Sequence, residues 1–295
     1  MGDYHVHLHP HGPYDGTGPP PGEYPVGHIE AYLEAALGRG ADEIAFTEHL
    51  YRCVEAGPVL GRFWEREPDR ELAAATAEFV VSDMTLSLEA YVDAVLDARD
   101  AGFPVLLGME VDFFPDTIGA VLEFLEPYPW DILIGSVHWV GGWSIDHTNS
   151  IFEFDRRGIE QSYLDYFALE TQLAASGAVD VLAHVDVVKK MGHRLPAPPI
   201  AMYGEVVAAA ATSGVAVEVS SAGLHQKIGE IYPAPEFLEM FAASGVPITL
   251  ASDAHYPADA ARDRDVVIAA ARRAGYSERL RFRRRDGQPV PLEEG

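Results

Sequence analysis

The chain carries one cysteine in 295 residues, Cys53, so no internal disulfide framework can form. That usage fits a reducing cytoplasm, the expected location. Nothing around Cys53 marks it as a nucleophile. No apolar run approaches the ~18 residues of a membrane span. The opening Met1-Gly-Asp-Tyr-His-Val-His7 has neither a basic region nor an apolar stretch, so no signal peptide is expected, and Val6 stands where a lipidation motif needs Ser or Thr. Positive charge is scarce: 21 Lys and Arg face 46 Asp and Glu, a formal net charge of −25. Nucleic acid and anionic membranes are therefore not expected partners. The one basic stretch, Arg281 to Arg285, reads as a local surface feature. A Gly-rich phosphate loop of nucleotide-binding type is also missing, which argues against an open doubly wound sheet.

What is present is ordinary core material, 48% hydrophobic residues, arranged as short β-like runs alternating with amphipathic stretches. Strands are expected at Tyr4–His7, Glu43–Thr47, Val105–Val111, Ile132–His138, Val179–His184, Val215–Ser220 and Ile248–Ser252. Several are continuous apolar runs, as parallel strands buried on both faces require. Between them, Ile29, Leu33, Ala36 and Leu37 share one helical face, as do Leu88, Tyr91, Val92, Val95 and Leu96. Further helices are expected at Ile159–Ala175, Met202–Thr212, Pro235–Ser244 and Ala258–Ala274. Repeated βα units of this kind predict a parallel sheet closed as a seven-stranded (βα)7 TIM-like barrel, α/β in class and a single domain over 1–295. The stretches 50–84 and 139–158, with Trp64, Trp139 and Trp143, read as insertions beside the active face.

Polar residues fall at the expected strand ends. His5 and His7 alternate, so both imidazoles can face one ion. Strand two ends in Glu48-His49, strand three carries Glu110 and Asp112, strands four and five end in His138 and His184, and strand seven runs into Asp253-Ala-His255. The carboxyl ends of barrel strands meet at one mouth, and unpaired buried charges are costly there. Imidazole and carboxylate without thiolate suit two or three divalent ions, Zn, Mn or Fe. His28, His147 and His193 read as surface residues.

The ordered set Asp3-Tyr-His-Val-His7, Pro10-His-Gly12, Phe46-Thr-Glu-His49, Gly108-Met-Glu-Val-Asp112, Ser136-Val-His138, His184-Val-Asp-Val-Val-Lys-Lys190, Glu218-Val-Ser-Ser-Ala-Gly-Leu224, Ile231-Tyr-Pro233 and Ser252-Asp-Ala-His255 resembles the polymerase-and-histidinol-phosphatase (PHP) superfamily, within it the histidinol-phosphatase branch. The resemblance runs nearly end to end. It implies a distorted seven-stranded barrel with a trinuclear metal centre. One ion would take His5, His7, Glu110 and Asp253; a second Glu110, His138 and His184; a third His11, His49 and His255. His11 is preferred to the neighbouring His9 for its Pro-His-Gly context, His9 being placed in the loop or behind the ligands. The activity implied is hydrolysis of a small phosphorylated substrate, L-histidinol phosphate, by a metal-bridging hydroxide, with Asp253, His255 and Glu110 as catalytic residues.

The stretch Ala222-Gly-Leu-His225-Gln-Lys227 departs from the branch, which places an Arg and then a Lys there. His225, Lys227 and Arg262 are the phosphate candidates, against the alternative of an ordinary polar loop; Asp112, Asp146 or Glu153 are the candidates for the substrate amine. Another phosphomonoester or a nucleotide is the neighbouring reading. An amidohydrolase barrel also opens with a His-x-His pair, but that class often bridges its metals through a strand-end Lys, and here Glu110 holds that position. A non-catalytic metal-binding domain would be expected to have lost ligands.

Overall fold

The computed structural model describes residues 2–11 and 14–292; Gly12 of the Pro-His-Gly motif and the outermost residues of the 1–295 span lie outside them. The strands are β1 (Asp3–Val6), β2 (Ile44–His49), β3 (Val105–Asp112), β4 (Ile132–Ser136), β5 (Trp139–Val140), β6 (Trp143–Ser144), β7 (Val181–Leu182), β8 (Ala216–Ser220), β9 (Ile248–Ala251), β10 (Glu278–Arg283) and β11 (Asp286–Pro291). The helices are α1 (Val26–Gly38), α2 (Gly57–Leu60), α3 (Arg70–Asp83), α4 (Leu88–Asp100), α5 (Ile118–Leu125), α6 (Glu153–Arg157), α7 (Ile159–Ser176), α8 (Ile200–Ser213), α9 (Pro235–Ala243) and α10 (Arg264–Ala274). Among the described residues no helix is long and apolar enough to cross a membrane.

Seven parallel strands form one sheet in the order β1-β2-β3-β4-β7-β8-β9. A parallel bridge from Val6 to Ala254, with the His7 amide donating to the Ala254 carbonyl at 2.8 Å, brings the two edges together. The expected (βα)7 barrel is therefore the observed fold. Several strands are shorter than their apolar runs suggested: β7 keeps two residues and ends before His184, and β4 ends at Ser136. Strand β1 carries one extra residue between the register pairs Asp3/Ile44 and Val6/Phe46. This bulge lets Tyr4 join the apolar base of the barrel while His5 joins the polar mouth.

Gly108 shows why the strand interiors admit little volume. A Cβ there would stand 2.7 Å from the Thr47 methyl and 2.9 Å from both the Ile132 side chain and the Phe46 carbonyl. Tyr91 of α4 then donates to the Gly108 and Phe46 carbonyls, locking helix to sheet. The expected helix Ala258–Ala274 is broken: a 3₁₀ turn at Pro257–Asp259 precedes α10, with Ala261 and Asp263 left-handed between them. The cause is Asp3, whose carboxylate takes the Ala261 amide at 2.7 Å and the Ser252 amide at 2.9 Å. The insertion at 50–84 contains α2 and α3, and that at 139–158 contains the β5–β6 hairpin and α6.

The basic stretch keeps Arg283 to Arg285 at the surface, as expected, and has a structural role as well. It belongs to the β10–β11 hairpin, which stoppers the amino-terminal end of the barrel. Phe282, 3% exposed, joins Tyr4, Ala45, Leu106, Ile132, Val181 and Ala216 in one apolar cluster and meets the Tyr4 ring edge-on at 6.3 Å. Arg281 and Arg283 converge on the buried Glu43 carboxylate, and Arg285 holds Asp180. His28, His147 and His193 are half-buried rather than superficial; His28 bonds the Leu8 carbonyl, and His193 stacks on Phe154 at 4.0 Å.

Phe282→Ala should cost about 3–5 kcal/mol, measured by denaturant unfolding, because the rigid strand ends cannot collapse into the space. A second expectation concerns Glu170 of α7. Burial holds this carboxyl well above its ordinary range, against the 2.6 Å hydrogen bond from Tyr166. The fold favours the protonated form, so this contribution is full below the unfolded carboxyl pKa and lost as pH rises through the folded one. Glu170→Gln should therefore raise the thermal midpoint relative to the parent at about pH 8 more than at about pH 5.

Candidate metal centre

The carboxyl ends of the strands bring the expected ligands into one cluster. Glu110, fully buried, stands opposite His49 in the β2–β3 register. Its Oε2 lies 3.6 Å from both His5 Nε2 and His7 Nε2, and its Oε1 lies 3.1 Å from His184 Nε2 and 3.5 Å from His138 Nε2. Asp253 Oδ1 is 3.5 Å from His5 Nε2 and 3.3 Å from His7 Nε2. The His255 ring stacks on His7 at 4.2 Å and lies 4.1 Å from the His11 ring. Four sets of three have ligand atoms within 4.8 Å of one another: His7, His49 and His255; His5, His7 and Glu110; His5, His184 and Asp253; His49, Glu110 and His138. The sets overlap, so the cluster is continuous rather than three separable pockets. His11 is exposed at its edge, with Nε2 2.8 Å from His49 Nε2. His9 is buried with its ring against Tyr24 and His28, and its carbonyl accepts from Arg52.

Hydrogen bonding on the outer ring nitrogens decides what faces inward. His5 Nδ1 donates to Glu218 at 2.9 Å and His138 Nδ1 to Asp112 at 2.6 Å, so each turns Nε2 toward the cluster, where an ion would take the place of its proton. Buried His7 Nδ1, His184 Nδ1 and His255 Nε2 have no hydrogen-bond partner, and His49 Nδ1 approaches Glu110 Oε2 to 2.5 Å. Lone pairs converging at 3.0–3.6 Å repel unless a cation lies among them. The donor set, imidazole nitrogen with hard carboxylate oxygen, fits divalent metal.

The electrostatics carry the same sign. Burial would push the Glu110 and Asp253 carboxyls up, yet neighbouring imidazoles, His49 foremost for Glu110 and His5 for Asp253, hold both well below the ordinary range. Burial pushes His138 down, but Glu110 and Asp112 outweigh it and carry the ring to about 10. The carboxylates thus stay ionised and pull positive charge into the cluster. His184 and Asp253 also sit at positive φ, 24° and 54°, a strained backbone for residues other than glycine.

The mouth above the cluster is a cavity of about 330 Å³. Asp146 and Lys190 line it, joined at 2.8 Å, as do His225, paired with Asp263, and Arg262, held by Asp259 at 2.9 Å. Lys227 is exposed, its stem against Gly192, and is not part of that lining. Of the three amine candidates, Asp112 is committed to His138, and Glu153 accepts from Arg156 and Arg157 outside the mouth; Asp146 alone lines the cavity.

Three residues given no role from sequence matter here. Glu218 binds His5 and the His184 amide at 2.8 Å. Glu48 takes the Leu8, His9 and His49 amides, shaping the loop behind the first His pair. Lys190 is a cation in the mouth. Glu218 was detectable as the polar member of the alternating column Ala216, Glu218, Ser220; Lys190 had no such periodic signal.

A family model for the PHP domain matches residues 5–222. A probable histidinol-phosphatase of Deinococcus radiodurans is 33% identical over 234 residues, 79% of this chain and 82% of that protein. The histidinol-phosphatase of Bacillus subtilis is 24% identical over 284 residues, 87% and 94% of the two chains. A crystal structure of the histidinol phosphate phosphatase of Lactococcus lactis, in complex with zinc, L-histidinol and phosphate, superposes with a TM-score of 0.71 at 19% identity, covering 97% and 98%.

Glu218→Gln keeps the side-chain volume but weakens the grip on the His5 ring. Metal affinity, measured by competition with a chelator, should fall about 10–100-fold with the fold intact.

Proposed function

The chain belongs to the PHP family, and on that premise we propose that it hydrolyses L-histidinol phosphate to L-histidinol and inorganic phosphate, a step of histidine biosynthesis. The observation that carries the reading is one buried carboxylate, Glu110, shared by imidazoles from four strand ends beneath a cavity that holds Lys190. The described barrel supports treating the 1–295 span as a single phosphoesterase domain.

Two or three divalent ions, with Zn, Mn and Fe all suited to the ligands, would be held by His5, His7, Glu110 and Asp253, by Glu110, His138 and His184, and by His11, His49 and His255. Such ions make hydroxide available near neutral pH and offset charge on the phosphoryl oxygens. Glu110 spans two halves of the cluster through its separate oxygens. His255 donates Nδ1–H to the Asp253 carbonyl at 3.0 Å, which turns its bare Nε2 inward and fixes the loop. The Asp253 carboxylate, kept ionised, is the acceptor for the proton of the attacking water. The Lys190 ammonium supplies fixed positive charge at the mouth for the phosphate or for the departing alkoxide. His225 and Arg262 stand on the rim as further phosphate contacts; Lys227 would have to swing from Gly192 to join them. Asp146 is the amine contact the geometry favours.

With metal supplied, kcat/KM for L-histidinol phosphate should exceed that for sugar phosphates, nucleotides and aryl phosphates, and Asp253→Asn should lower kcat about 10²–10⁴-fold. Uniformly slow rates across the panel would move the assignment to another small phosphomonoester. Full turnover by metal-loaded Asp253→Asn would overturn the proton-acceptor role.

A further inference from the structure

We infer that a second cavity, separate from the mouth, is a regulatory site for an aromatic amino acid bound as its zwitterion. The cavity measures about 470 Å³ and shares no lining residue with the mouth. It lies between the segment leading out of α2, the 113–117 turn that follows β3, and Trp139.

Its wall is aromatic. Phe63 stacks on Phe114 with centroids 4.1 Å apart and planes at 21°, and Phe63 also meets Trp139 at 5.1 Å. A flat ring is the natural complement of such a surface. Two lining residues carry buried polar atoms that lack any hydrogen-bond partner, Trp139 Nε1 and Thr117 Oγ1. Unpaired buried donors are costly, so a ring bearing an acceptor, an imidazole or a phenol, gains over a bare phenyl by drawing these two sealed atoms toward the cavity.

The rim selects the charge. Arg62 pairs with Glu65 at 2.8 Å and Arg66 pairs with Asp116, all four side chains more than half exposed. Exposed pairs of this kind hold weakly and exchange partners at little cost. Two cations and two anions sum to zero, so a lone anion or cation would break a pair and leave one partner unmatched. A zwitterion offers a carboxylate to an arginine and an ammonium to an acid together.

The link to the reaction is Trp139 itself. It follows His138 directly, and the two rings meet edge-on at 5.7 Å. A ligand seated on the indole therefore bears on the residue next to a candidate metal ligand, and its binding changes the rate.

The test uses the metal-loaded full chain, titrated calorimetrically with L-histidine, L-tyrosine, L-phenylalanine and L-leucine. Saturable binding of L-histidine or L-tyrosine, tighter than that of L-phenylalanine and absent for L-leucine, is expected. Binding should weaken about tenfold or more in Arg66→Ala and in Phe63→Ala, both checked for unchanged thermal midpoint and metal content. Inorganic phosphate should not displace the amino acid, and the occupied protein should show a changed kcat on an aryl phosphate. No saturation at millimolar ligand, affinity unchanged in both variants, displacement by phosphate, or binding with an unaltered kcat would each overturn the assignment. Binding is read without turnover, so failure of the phosphatase reading leaves that part of the test intact.

Discussion

Everything near the mouth of this barrel answers to one constraint: lone pairs from imidazoles and carboxylates are driven together where protein alone cannot keep them apart. Glu110 is the centre of that crowding, with His5 and His7 on one oxygen and His138 and His184 on the other. Glu218 and Asp112 hold protons on the far side of their histidines, which forbids relief by turning the rings. The left-handed backbone at His184 and Asp253 persists because the sheet and these hydrogen bonds over-determine it. The protein is thus built as a rigid, negatively charged mould for cations.

The large features were legible in the chain. Apolar runs spaced by amphipathic helices gave the parallel barrel, and the alternating pairs His5/His7 and Asp253/His255 pointed at the mouth. These signals are periodic, and periodicity is what a sequence displays openly. The less legible residues act through non-periodic contacts. Asp3 breaks the expected 258–274 helix because it captures an amide 258 residues away. Lys190 enters the mouth from a 3₁₀ turn, where no face repeats. Asp112 looked available for a substrate amine until its distance to His138 was known.

Charge was the least readable property. The net value of −25 suggests a solvated acidic surface, and the arginines near residue 283 looked like its lone exception. In the fold those arginines find Glu43 and Asp180 at the base. Arg157 similarly ties Glu67 of the first insertion to Glu153 of the second, and Arg156 ties Asp69 to Glu153. Several of the scarce cations join segments distant in sequence, which composition cannot reveal.

The β10–β11 hairpin follows all seven barrel strands along the chain, yet it closes the apolar floor on which Tyr4 of the first strand rests. During synthesis the first strand therefore waits for the six other barrel strands and this hairpin before its inner face is sealed from water. Until Phe282 clears the ribosome, the nascent barrel has a wet, greasy opening at its base, the kind of surface that chaperones hold.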